Sequence, residues 1–550
     1  MRESLNFKNF LATYQKIAGS AGIQWRSSFL RWDLPNEATA DFTLTLPLPL
    51  AYKTKKKPRQ VAQELIDLTG YATWQPTITP QGYLNFRLPL TYYQQFLTQT
   101  YQQAGQNLRG QKKTTRVNLE YVSTNPTGYL HLAHFRHAMV GNTLANIYQF
   151  SGYSVTREFY LNDRGGQITS LVNSIYYFYH QLQEVNLPET TKIEYSGSAS
   201  QAVAQKLIEK WGTRYINKKL GEGEFKIWKK EILDLILAKI KHDLAHCGIH
   251  FDIWFSETSL YEKNKHLELL EHLKEKKLIY HQEGAIFFRS SLGGDDKDWV
   301  IIKQDGDYTY FFSDILYLQN KLSRAEQAIY ILGADHQSSV ARLKAACRLL
   351  GYPVEKLQII LVQMVNLLAP TGQLEKFSKR AGNTIELTET LQYLGLDQLK
   401  FFLGEKEVNQ PLLINPQLLK ENQEKTRLYY IQYAHARCHQ IFQKAEQMGI
   451  NQILNQIDLL GENERKIFNW LIRFPLVLEK IIEENKPHHL IHYLHDLAQT
   501  WQSYYQKKTT PILDQNNSNL TSQKLLLVKN IQIILQLGLN LMGIEAPKKM

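Results

Sequence analysis

Cysteine is scarce. Cys247, Cys347 and Cys438 are the three in 550 residues, and none lies in a CxxC spacing. Neither a disulfide framework nor a zinc knuckle is implied, and a reducing compartment suits the chain. Long apolar runs are also missing. The greasiest stretch, Ile359 to Leu368, is interrupted by Gln363 and Asn366 and is too short to span a bilayer. The N-terminus lacks the uninterrupted apolar core of a secretory signal. No segment recurs at a fixed period. A soluble, cytoplasmic protein with no membrane contact and no structural metal is therefore expected.

What is present is a chain long enough for several domains, with 43% hydrophobic residues to fill large cores. Sixty-four Lys and Arg stand against 52 Asp and Glu, a formal charge of +12. Such an excess favours an anionic partner, nucleic acid first, although many soluble enzymes share it.

The most informative stretch runs from Val117 to Gln167. An apolar, strand-like run to Val122 meets breakers at Asn125, Pro126 and Gly128. A helix follows with His131 and His134 in its first turn, and a second strand runs from Tyr153 to Leu161. This is the βαβ unit that opens a nucleotide-binding half-sheet. The helix start offers free N–H groups and a positive dipole end to an anion. Histidines three apart share a face there and can donate to phosphate oxygens. Two histidines alone fit surface or metal-ligand roles as well. Far downstream, Lys376-Phe377-Ser378-Lys379-Arg380 is a compact cationic loop.

Together these two stretches resemble the HIGH and KMSKS signatures of class I aminoacyl-tRNA synthetases. VSTNPTGYLHLAH, REFYLNDRGGQI, DDKD, YTYFFSDI, IYILGADH, QMVNLLAPTGQLEKFSKRAGN, YYIQYAHAR and a terminal GIEAPKKM narrow the resemblance to the arginyl-tRNA synthetase family. It covers nearly the whole chain and is weakest in the insert after Gln167.

The implied fold is α/β. A Rossmann-type catalytic domain spans 113–408, with a helical insertion at about 168–250. An N-terminal α/β module occupies 1–112, and an all-helical anticodon-binding domain occupies 409–550. In the catalytic part, Phe251 to Leu374 is read as the second half-sheet, including strands Ala285 to Arg289 and Val300 to Lys303. The implied substrates are L-arginine, the arginine tRNA and ATP with Mg²⁺, with no tightly bound cofactor. The implied assembly is a monomer.

The resemblance also assigns residues. His131, His134, Lys376, Ser378 and Lys379 would stabilise charge on the phosphates. Thr127, Gly128, Ala133, Gly333 and Asp335 would line the ATP site, with Lys376 and Lys379. Glu120, Asn125, Tyr310, Asp314 and His336 would hold arginine. Tyr310 and Asp314 are four apart, which puts a stacking plane and a bidentate acceptor on one helix face, the two things a guanidinium needs. Lys55, Lys56 and Asn85 would touch the tRNA elbow. Tyr429, Tyr433, Arg437 and Met550 would meet the anticodon, where unstacked bases pack on aromatic planes. Ala133 departs from the family, because HIGH has glycine third and its backbone lets adenine approach closely. Other readings are an RNA-binding paralogue that has lost adenylation, and a synthetase for another amino acid. Each residue also has a bland role: an edge carboxylate, a packed tyrosine, a solvated lysine loop, a loose C-terminal tail.

Overall fold

The computed structural model describes residues 7–32, 40–185, 193–216, 218, 220–368, 374–375, 387–415, 423–450, 453, 461–507 and 511–550. They form two compact units. One is Gln111–Gln423, and the other combines Met1–Gly110 with Glu424–Met550.

The first unit is built on five parallel strands: β1 (Arg116–Glu120), β2 (Ser154–Leu161), β3 (Ile253–Ser256), β4 (Gln327–Gly333) and β5 (Leu357–Val362). Their order is β5-β4-β1-β2-β3. The order reverses between β1 and β4, so a crevice opens beyond the carboxyl ends of those two strands. Val117, Asn118 and Leu119 of β1 and Ala328, Ile329 and Tyr330 of β4 are buried in succession, as expected of strands covered on both faces. Helix α1 (Leu132–Phe150) packs on this sheet. It can come close because position 141 is glycine: a Cβ there would overlap the Tyr121 ring.

The chain leaves β1 two residues earlier than its apolar pattern suggests. Val122 and Ser123 have φ of 70° and 36°. A β-branched residue in the left-handed region is strained, and the strain falls where the chain turns into the crevice.

Three helices, Gly166–Gln181, Ser198–Trp211 and Glu222–His246, make the insertion, packed around buried Trp228. The strands expected in the second half-sheet at Ala285 to Arg289 and Val300 to Lys303 do not join the parallel sheet. Ile279–Gln282, Ala285–Phe288 and Trp299–Ile302 form their own antiparallel sheet. A tight turn such as that between Gln282 and Ala285 can join only antiparallel strands. Helix α2 (Tyr310–Arg324) then leads into β4.

The region expected to be helical from 409 begins with a strand. Leu412–Ile414 pairs in parallel with Val365 to Leu367 and belongs to this unit. Three residues are too few to show a period.

In the second unit, a four-stranded antiparallel sheet packs Phe42 and Phe86 against Phe10 and Trp74. Helices Arg427–Gln447, Glu462–Glu484, His488–Tyr505 and Ser518–Leu541 complete it. The N-terminal segment and these helices are joined by polar contacts: Arg465 Nη1 lies 2.8 Å from Asp41 Oδ2, and Tyr93 Oη donates to Asn469 Oδ1 at 2.7 Å. Among the described residues one helix, Ser518–Leu541, is long and apolar enough to cross a membrane, but 72% of its most apolar window is buried. It is the central helix of this bundle, not the run singled out from sequence.

Candidate active site

A cleft of about 770 Å³ opens at the carboxyl ends of β1 and β4. One part of its lining is acidic. Tyr310, the first residue of α2, and Asp314, one turn on, both face it, as their spacing predicts. Tyr310 is 55% exposed. The Asp314 side chain keeps 39% of its surface, but this opens into the cleft, where protein displaces most of the surrounding water. That desolvation pushes its pKa up to about 7. Negative charge on Glu257 and Glu120 pushes the same way, against Arg342, whose Nη2 is 3.9 Å away.

Glu257 was not foreseen. It follows β3 directly and is 4% exposed. Ser313 Oγ donates to its Oε1 at 2.8 Å. The Asn162 amide, oriented to satisfy both its ends, donates to its Oε2 at 3.0 Å. Burial raises its pKa, and the Ser313 and Tyr160 hydrogen bonds oppose that. Its place just after the carboxyl end of β3, where ligands bind in such sheets, is the signal that could have found it.

Glu120 ends β1 and lines the cleft, yet it already has a cation. Lys321 Nζ donates to its Oε2 at 2.5 Å. Lys321 is fully buried, 3.8 Å from the Tyr330 ring centroid and 4.7 Å from that of Tyr317. Burial lowers the lysine pKa even beside this carboxylate. A second layer lies beneath: Glu158 accepts from Arg324 Nη1 at 2.8 Å, Tyr317 at 2.6 Å and Asn118 at 2.9 Å. The acidic wall therefore rests on a neutralised ladder of ion pairs.

The other wall is the start of α1. His131 is its N-cap and His134 its third residue. Their rings stack with centroids 3.6 Å apart. The His131 backbone N–H donates to His134 Nδ1 at 3.3 Å, so the proton of a neutral His134 sits on Nε2, which donates to Thr124 Oγ1 at 2.9 Å. A third histidine, His137, lines the cleft one turn on. Burial lowers its pKa to about 4; Arg136 and His336 push the same way and Asp335 opposes them.

Ala133 and Thr127 line the cleft with these histidines, whereas half-buried Gly128 does not, and a Cβ there would meet nothing. Asn125 lines it and donates to Gln167 Oε1 at 2.8 Å. Gly333, Asp335 and His336 form the rim at the end of β4, with the two side chains 80% and 53% exposed. Lys376, Ser378 and Lys379 lie outside the described residues. Arg136, also unforeseen, is fully buried and donates to the carbonyls of Gln363 and Gln410 at 2.8 Å and of Glu407 at 3.1 Å. It ties α1 to the cleft wall at Gln363.

The residues assigned to tRNA lie in the other unit. Lys55 is exposed with φ 54°, and Lys56 pairs with Glu64 at 2.8 Å. Asn85 accepts from Thr43 across the sheet at 2.6 Å. Tyr429 and Tyr433 stack at 6.1 Å, and Arg437 lies over Tyr433 at 4.9 Å and over the unforeseen Tyr505 at 5.1 Å. The C-terminal segment is docked. Gln432 donates to the Glu545 carbonyl at 2.9 Å, and His435 Nδ1 lies 2.8 Å from the Pro547 carbonyl, leaving Met550 47% exposed.

Residues 93–434 match the family described as tRNA synthetases class I (R), catalytic domain. Fold and cleft thus define a class I tRNA synthetase. Residues 13–88 match the arginyl tRNA synthetase N terminal domain, and residues 431–550 the DALR anticodon binding domain. An arginine–tRNA ligase of Geobacillus kaustophilus is 37% identical over 526 residues, 94% of this chain and 93% of that protein. One of Aquifex aeolicus is 36% identical over 559 residues, 94% and 95% of the two chains. The solved arginyl-tRNA synthetase of Thermus thermophilus shares the fold, with TM-score 0.76 and 21% identity over 99% of this chain and 100% of that one. The chain belongs to the arginyl-tRNA synthetase family.

Proposed function

We infer that this enzyme ligates L-arginine to its cognate tRNA for protein synthesis, in an ATP-dependent reaction through an arginyl-adenylate. The observation that carries the choice of amino acid is the Tyr310–Asp314 pair on the cleft wall, an aromatic plane beside a carboxylate whose pKa desolvation pushes up to about 7. A guanidinium offers parallel donors to such a wall. Lysine's ammonium leaves acceptors unpaired, which is heavily penalised where water is excluded.

In the first step the arginine carboxylate attacks the α-phosphorus of ATP in line, and the bond to the leaving pyrophosphate breaks. Charge accumulates on the α-phosphate and on pyrophosphate. His131 and His134 approach it from the start of α1, and Lys379, with Lys376 and Ser378, supplies the cationic side. In the second step the 2′-hydroxyl of the terminal adenosine of the tRNA attacks the activated carbonyl and AMP leaves. No protein nucleophile is required, since positioning and charge stabilisation suffice. ATP enters as its Mg²⁺ complex, and tRNA is needed from the activation step onward. Residues 1–112 hold the tRNA elbow through Lys55, Lys56 and Asn85. The helices after 408 hold the anticodon through Tyr429, Tyr433, Arg437 and the C-terminal Met550. The enzyme works as a cytoplasmic monomer.

The test is charging of bulk tRNA with labelled arginine, ATP and Mg²⁺, beside lysine and cysteine. Arginine-only charging is expected. A folded, tRNA-binding protein that charges nothing would contradict the reading and point to a paralogue silenced at Ala133.

A further inference from the structure

His488, His489 and His492 open the helix His488–Tyr505, in the unit that carries the C-terminal helices. The helix Glu462–Glu484 ends just before them. Asn485 closes it with φ of 54°, a left-handed conformation that asparagine tolerates, and the next helix starts after Pro487. The last turn of one helix and the first turn of the next therefore share a corner. His492 is four residues from His488 and three from His489, the two spacings that put side chains on one helix face. The His488 ring centroid lies 4.4 Å from that of His489 and 5.4 Å from that of His492. One nitrogen from each of the three rings lies within 4.8 Å of the other two. Glu484 joins from the preceding helix, its Oε2 2.9 Å from His489 Nε2. His488 is buried, His489 half-buried and His492 exposed, so the cluster has a packed floor and an opening to solvent.

Three converging imidazoles with a carboxylate behind one of them make a donor set for a borderline-soft divalent ion, whereas Mg²⁺ takes oxygen ligands. We propose that His488, His489 and His492 hold one Zn²⁺, with Glu484 orienting the His489 ring and water completing the tetrahedron. Zn–N bonds of about 2.0–2.1 Å place the donors about 3.4 Å apart, so side-chain movements of about 1–2 Å close the set, and exposed His492 has room to make them. Arg427 opposes a cation at His492, and Asp496 and Glu484 favour one. Through Glu484 the ion ties the end of one helix to the start of the next. Cysteine spacing does not announce this site, because it is built from imidazoles.

The test titrates ZnCl₂ into the full chain, first stripped of metal, in competition with a chromophoric chelator. The parent is compared with His489→Gln, His492→Gln and Glu484→Gln. The parent should bind one Zn²⁺, and excess Mg²⁺ should not displace it. Each histidine variant should bind zinc more than about 100-fold more weakly, beyond what loss of an outer-shell partner costs, and Glu484→Gln about tenfold more weakly. Zinc at about a hundred times its Kd should lower the unfolding equilibrium constant of the parent about 100-fold and leave that of His492→Gln unchanged. A parent that binds no zinc would overturn the proposal. Equal affinity in the parent and both histidine variants would also overturn it, and would move the ion to other histidines, such as those of the cleft. Arginine charging should be the same in His492→Gln as in the parent, so the enzyme reading is judged separately.

Discussion

Burial drives the pKa of Asp314 up to about 7 on one wall of the cleft and that of His137 down to about 4 on the other. In both cases desolvation disfavours the charged form, yet the consequences for ligands are opposite. The carboxylate wall becomes fully charged when a cation is there to share it. His137 stays neutral at pH 7 and so adds no positive charge opposite the carboxylates. The two walls also differ in what supports them. Glu120 is backed by Lys321 and a second layer of ion pairs, whereas α1 is anchored by Arg136, a buried cation held by backbone carbonyls alone.

Removing the support of the acidic wall should have the largest effect. Lys321→Met leaves Glu120 buried without its cation and should lower stability by about 3–5 kcal/mol, read by thermal or denaturant unfolding. Adding Glu120→Gln should recover much of this, because the penalty belongs to the unpaired charge and not to the lysine itself. A double variant as unstable as the single one would mean that Lys321 matters only for packing. On the phosphate side, Lys379→Ala should lower aminoacylation about 10²–10³-fold. tRNA binding, measured separately, should stay intact, and a parallel loss of both would remove Lys379 from catalysis. Ala133→Gly should have the smallest effect. Removing one methyl group from the histidine wall should lower KM for ATP by a few-fold at most, about 1 kcal/mol, with KM for arginine unchanged.

Parts of this arrangement are legible in the chain itself. The Tyr310–Asp314 spacing and the histidines at a helix start are local patterns, and local periodicity survives folding. The supporting residues are not local. Lys321 reaches Glu120 across 201 positions, and Arg136 reaches Gln410 across 274, and no window of sequence joins them. The left-handed turn at Val122 contradicts the preference of valine and is imposed by the sheet. Leu412–Ile414 is too short to announce itself. The docked C-terminus depends on carbonyls accepting from Gln432 and His435, a backbone property that side-chain patterns do not encode.

The most direct test of the contrast between the walls is KM for arginine and for ATP measured from about pH 8 to about pH 6, at saturating tRNA, in the parent and in Asp314→Asn. In the empty site Asp314 has its raised pKa of about 7. A bound guanidinium favours the carboxylate and lowers that pKa, so below it arginine must displace a proton. KM for arginine should be flat above about pH 7 and should climb towards tenfold per pH unit below it. His137 stays neutral throughout this range, so KM for ATP should not follow. Asp314→Asn should raise KM for arginine by about 2–4 kcal/mol and abolish its pH dependence. A flat arginine profile in the parent, or an unchanged slope in Asp314→Asn, would contradict the assignment of Asp314 to the guanidinium.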